Sequence, residues 1–142
     1  MQGLFDPFNR APYVEGDASM REYYVNLMRL RRETPVLRTG AVGVYAPSDA
    51  LLCLLRADET DRLLTVVNPT AETASAQLQL TEPGSGLTAA ERRTLERAGL
   101  NEAVCLLTGE RLPARDGTLQ LSVPPYSARL YRLCVRTGSG VR

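Results

Sequence analysis

Leu51-Leu52-Cys53-Leu54-Leu55-Arg56-Ala57 and Leu63-Leu64-Thr65-Val66-Val67-Asn68 decide the fold. Each is a short apolar run, the second rich in β-branched residues, and the polar stretch Asp58 to Asp61 separates them. Runs of this length bounded by turn residues read as strands, and apolar side chains on both faces imply central strands covered on each side. Gln77-Leu78-Gln79-Leu80 and Leu119-Gln120-Leu121-Ser122-Val123 instead alternate, as half-buried strands do. Further strands are expected near Val42–Ala46, Ala74–Leu80, Ala103–Thr108, Thr118–Val123 and Ala128–Val135. Pro47-Ser48-Asp49, Asn68-Pro69 and Asp116-Gly117 supply the turns between them. Many short strands at regular spacing imply an all-β, antiparallel β-sandwich with Greek-key links.

Two stretches break this pattern with helical spacing. Ser19 followed by Glu22 matches a capping box, and Asp17 adds negative charge near the same helix start. Met20, Tyr23, Tyr24, Leu27 and Leu30 then recur at three- and four-residue intervals, Arg29, Arg31 and Arg32 crowd the last turn, and Pro35 ends the helix. A second capping box, Thr88 with Glu91, opens a short helix inserted between strands, with Gly99 placed to terminate it. Its apolar content is small, so it is expected to lie on the core rather than build it. Residues 1–16 read as an irregular loop punctuated by Pro7 and Pro12.

Composition excludes several chemistries. The 142 residues suffice for one domain with a real core. The 44% hydrophobic and 23% charged residues are those of a globular protein. All 17 basic residues are Arg, balanced by 16 acids with no basic block, which argues against a nucleic-acid partner. No run reaches the length of a membrane helix, so no membrane partner is expected. With no His, a Ser-His-Asp or Cys-His site cannot be built. Cys53, Cys105 and Cys134 lack zinc spacing and sit in apolar runs, reading as small buried hydrophobes in a reducing, cytoplasmic setting. No cofactor and no metal site are expected. Glu15, Asp17, Asp58, Glu59, Asp61 and Glu102 are the candidates for a carboxylate pair, but all lie in turns, caps or polar loops. Tyr45, Tyr126 and Tyr131 lie in or beside strands and read as packing residues, and the absence of Trp leaves few platforms for sugar stacking.

The order of the pieces carries more. Residues 6–13 (DPFNRAPY), a helix ending at 28–40 (MRLRRETPVLRTG), then 44–56 (VYAPSDALLCLLR), 62–70 (RLLTVVNPT), 106–112 (LLTGERL) and 118–133 (TLQLSVPPYSARLYRL) follow one another along the chain. In that order they resemble the carboxyl-terminal part of α-amylase-family glycoside hydrolases, the neopullulanase and cyclomaltodextrinase branch above all. Only residues 82–100 fall outside the resemblance. It implies that residues 1–40 are the loop and helix that end a (β/α)8 barrel, that 41–136 form a C-terminal β-sandwich domain, and that 137–142 are a disordered tail. It also implies that Asp6 and Arg10 are substrate contacts in an intact parent. The family's Pro-Trp after this motif is replaced by Val14-Glu15 beyond Tyr13.

The family's catalytic carboxylates sit on barrel strands that this chain lacks, so the chain alone is expected to be inactive. Its partners would be the missing catalytic barrel and, through the parent, α-glucan or maltooligosaccharide. The alternatives are a stand-alone carbohydrate-binding module or an oligomerisation module. The helix stripe Met20, Tyr23, Leu27 and Leu30 would pack on the barrel. In an isolated chain it is expected to fold back on the sandwich or to form a homodimer.

Overall fold

A computed structural model describes Gly16, residues 18–85 and residues 87–135. It divides into two compact units, broken between Thr34 and Pro35.

The first unit carries α1, Ala18–Glu33. The Thr34 N–H donates to the Leu30 carbonyl 3.0 Å away, and Pro35 follows. The helix starts one residue before Ser19, which therefore lies inside the first turn rather than at the cap, and Asp17 is outside the described residues. Arg31 and Arg32 occupy the last turn as expected from the helix dipole.

The second unit is the sandwich. It opens with a single turn, α2 (Val36–Thr39), which packs on β2 (Leu51–Ala57) and β3 (Arg62–Asn68). The other strands are β1 (Ala41–Ser48), β4 (Ala74–Gln79), β5 (Leu100–Cys105), β6 (Arg111–Pro113), β7 (Thr118–Val123) and β8 (Ser127–Val135), with α3 (Ala89–Ala98) between β4 and β5. Every strand pair is antiparallel. A six-stranded sheet runs β1-β2-β3-β8-β5-β6, and β4 pairs with β7 in a second sheet. The β3–β4 and β7–β8 connections both cross between the sheets, so the chain changes layer twice at one corner.

The core lies between the sheets. Cys53, Leu55, Leu64, Val66, Cys105 and Tyr131 meet Leu78, Leu119, Leu121 and Val123 there, all buried. Register follows from this alternation, because a one-residue slip would turn each set to solvent. The Asp116-Gly117 hairpin has both residues at positive φ (49° and 75°), and Arg115 and Thr118 exchange both backbone hydrogen bonds across it.

Further expectations need correction, and two short elements were not expected. The run Leu51–Leu55 is not covered on both faces: Leu51, Cys53 and Leu55 are buried, while Leu52 is 43% exposed and Leu54 half-buried. The fifth strand lies three residues earlier than Ala103–Thr108. Leu106–Thr108 turn instead, because the Gly109 N–H returns to the Cys105 carbonyl with Gly109 at φ 76°. β6 and α2 give no periodic signal at three and four residues. Finally, Tyr126 is 75% exposed at φ 47°, because the turn after Pro124-Pro125 carries its ring away from the core.

The inserted helix matches its expected ends. Thr88 and Glu91 form the reciprocal capping box, and the Gly99 N–H donates to the Leu95 carbonyl. Leu95 goes further than expected, joining the core cluster together with Leu87.

Candidate functional site

Catalysis by a carboxylate pair would need two acids free to face a substrate. Three of the candidate acids, Asp58, Asp61 and Glu102, are otherwise engaged. Asp58 Oδ1 accepts from the Thr60 and Asp61 N–H groups and from the Thr60 hydroxyl. The Asp61 N–H donates most to holding that carboxyl below its ordinary value, followed by the Thr60 contacts. Asp61 pairs with Arg132 at 3.0 Å and Glu102 with Arg111 at 2.8 Å. Glu59 is exposed in the β2–β3 turn. Among the described residues, no three His, Cys, Asp or Glu side chains come together as a metal would need. Asp6, Arg10, Glu15 and Asp17 lie outside the described residues.

The polar chemistry the sandwich does build is structural. Asn68, 1% exposed, sits where the chain changes sheets. Its Nδ2 donates to the carbonyls of Glu72 (2.8 Å), Val123 (2.9 Å) and Pro124 (3.0 Å). Its Oδ1 accepts from the Thr70 N–H and hydroxyl. One side chain thus ties the β3–β4 turn to the β7–β8 turn, and the Tyr126 N–H adds a bond to the Thr70 carbonyl. The sequence marked Asn68 only as a turn residue.

A second tie holds the 106–110 loop. The Tyr131 ring is fully buried and its hydroxyl donates to Glu110 Oε2 at 3.0 Å, with Arg129 3.8 Å from the same oxygen. Burial first, then the Glu110 carboxylate, pushes the Tyr131 phenol far above its ordinary range. Tyr131→Phe is expected to lower unfolding free energy by about 1 kcal/mol, as loss of one hydrogen bond does. Urea unfolding of the two proteins side by side checks this.

The cysteines divide by face. Cys53 and Cys105 are buried, and burial raises the Cys53 thiol to about 11. Cys134 is half-buried on the outer side of β8.

Two surfaces remain open. No residue of α1 is buried. Met20, Tyr23 and Tyr24 of the expected stripe are exposed, and so are Val25 and Met28, which lie off that stripe. Exposed apolar side chains therefore extend beyond the single expected stripe. On the outer face of the large sheet, Val42, Val44 and Leu52 are also exposed, beside half-buried Leu54 and Val67. The same face is closed further along, where α2 packs and both Val36 and Leu63 are buried. A cleft of about 350 Å³ between α3 and the β6–β7 hairpin includes Thr81, Glu96 and Asp116 but no aromatic ring.

Comparison with known proteins turns this arrangement into a relationship. No family model matches the chain. The cyclomaltodextrinase of Geobacillus thermopakistaniensis (strain MAS1) is 30% identical over 112 residues, which are 78% of this chain and 16% of that enzyme. An Anoxybacillus α-amylase structure superimposes with a TM-score of 0.74 at 24% identity, over 97% of this chain and 27% of that one. The α-amylase of Geobacillus thermoleovorans, complexed with acarbose, gives 0.75 at 22% identity, over 94% and 27%. The chain thus spans about a sixth of its curated relative and about a quarter of these solved structures.

Proposed function

We propose that this chain, which is similar to part of α-amylase-family glycoside hydrolases, is their non-catalytic C-terminal β-sandwich domain, a structural support for the catalytic barrel. The observation that carries the reading is the lopsided match: 78% of this chain against 16% of a cyclomaltodextrinase. The acids of the sandwich agree with it, since Asp58, Asp61 and Glu102 are committed to turns and ion pairs.

In the proposed division, residues 1–40 end the barrel and 41–136 form the C-terminal domain, although the compact unit that holds the sandwich begins earlier, at Pro35. The apolar faces of α1 are the surface a barrel would enclose. Burying side chains such as Met28 or Tyr24 is worth roughly 1.5–3 kcal/mol each. The parent would hydrolyse or transfer α-glucosidic bonds in α-glucans or maltooligosaccharides, with retention through a covalent intermediate on carboxylates outside this chain. Asp6 and Arg10 would then reach the substrate at the barrel rim. Buried free thiols at Cys53 and Cys105 suit a reducing cytoplasm.

A stand-alone carbohydrate-binding module is the rival. Sugar platforms need exposed rings in a row, and among the described residues the sandwich offers only the ring of Tyr126 as a strongly exposed one. Calorimetric titration of the chain with a maltooligosaccharide separates the two readings. The structural reading expects no saturable heat, and micromolar binding lost in Tyr126→Ala would replace it with the module.

A further inference from the structure

We infer that the outer face of the large sheet, around Val44, Leu52, Leu54 and Val67, is the surface of the sandwich that docks on the catalytic barrel of the same polypeptide. The inference rests on the reading of this chain as a C-terminal domain and names the face that this reading leaves open. The four side chains form one contiguous patch. Val44 stands beside Leu54 and Leu52 beside Val67 in the strand registers, and Leu52 and Leu54 project from the same face of β2. Val44 is 62% exposed and Leu52 43%, while Leu54 and Val67 are half-buried. Single exposed apolar residues are ordinary, whereas a joined group of them marks a binding surface.

The two outer faces of the sandwich differ. On the small sheet the outward residues oppose one another as Ser75 with Ser122, Gln77 with Gln120 and Gln79 with Thr118, every one polar. That face is made for water. The patch on the large sheet has instead an apolar centre and a charged border. Arg56, Arg132 and Arg111 stand at one level across the sheet, and the last two pair with Asp61 and Glu102. An apolar centre inside a polar rim is the anatomy of a protein interface.

The path of the chain points to the occupant. The second unit begins at Pro35, and its first turn, α2, already lies on this face, with Val36 and Leu63 both buried. A domain that precedes Pro35 is thus tied to the sandwich on the same face as the patch, which gives it a high effective concentration there. The match to 78% of this chain and 16% of a cyclomaltodextrinase leaves about five-sixths of such an enzyme to supply that domain. A sugar is a poor occupant, because none of the four patch residues carries a ring for stacking.

A chimera tests this: the cyclomaltodextrinase with the segment that this chain matches replaced by this chain, followed by calorimetric melting and by cleavage of a cyclomaltodextrin. Val44→Arg with Leu52→Arg is compared with Ser75→Arg and Gln120→Arg on the polar face, both in the chimera and in the 142-residue chain. The Val44 and Leu52 pair should lower the melting temperature of the chimera by about 3 °C or more, and the polar-face pair should leave it unchanged. In the chain alone the two pairs should act alike. An active chimera that tolerates both pairs overturns the docking face and leaves the C-terminal-domain reading standing. An equal loss from the Val44 and Leu52 pair in the chain alone also overturns it, since those residues would then serve the sandwich itself. A dimer of the chain that sedimentation detects and Val44→Arg abolishes gives the face to a second copy instead. A chimera that neither folds nor cleaves refutes the reading on which the face rests. Val44→Thr with Leu52→Thr serves if the arginine pair does not fold.

Discussion

Asn68→Ala should lower the unfolding free energy by about 3–4 kcal/mol, the range for breaking a buried hydrogen-bond network. The amide reaches three carbonyls, on Glu72, Val123 and Pro124, and accepts two bonds from Thr70. Alanine leaves those carbonyls without their donor at a site where the side chain was almost wholly enclosed. Two layer-changing connections lose their shared tie at once, so the loss should exceed that of a single surface turn. Asn68→Asp is a sharper variant. It keeps an acceptor for Thr70 but turns a carboxylate oxygen toward three carbonyl oxygens, and it should destabilise at least as much at neutral pH. Urea unfolding checks both; a loss below about 1 kcal/mol for Asn68→Ala would mean that the corner is held by its backbone alone.

Gly40→Ala is expected to cost about 2–3 kcal/mol, in the range of overpacking a closed site. The reason is space rather than backbone freedom, because Gly40 sits at φ −63° and ψ 144°, which alanine adopts readily. A Cβ there would lie 2.6 Å from Val36 Cγ2, 2.6 Å from the Val36 carbonyl oxygen and 3.1 Å from the Ala57 carbonyl oxygen. The Gly40 N–H meanwhile donates to that same Val36 carbonyl at 3.0 Å, so the turn cannot open without losing a bond. Relief requires α2 to lift from the sheet and expose Val36 and Leu63. Adding Val36→Ala removes the methyl clash but not the carbonyl clash, so the double variant should remain less stable than Val36→Ala alone. Equal stability of those two proteins would refute the steric account.

What the sequence disclosed follows from how local each signal is. β2, β3 and β7 were legible because their own side chains alternate or branch as strands require. The Thr88 capping box was legible because both partners lie within four residues. The role of Asn68 was not, since Val123 and Pro124 stand 55 and 56 positions away. β5 was misplaced because the apolar run Ala103–Leu107 continues past the strand; Leu107 packs on the core from the turn. The open face at Leu52 was hidden by the same ambiguity: leucines on both faces of a strand look identical whether a partner covers one face or nothing does. Asp6 and Arg10 rested on resemblance, and they fall outside the described residues.

The most direct measurement is a reducing-end assay of the purified chain against a maltooligosaccharide and a cyclomaltodextrin, over long incubation and at high protein concentration. A non-catalytic domain should release no more sugar than buffer does. Steady release proportional to protein, surviving a second purification, would contradict the central claim and would require catalytic carboxylates within these 142 residues.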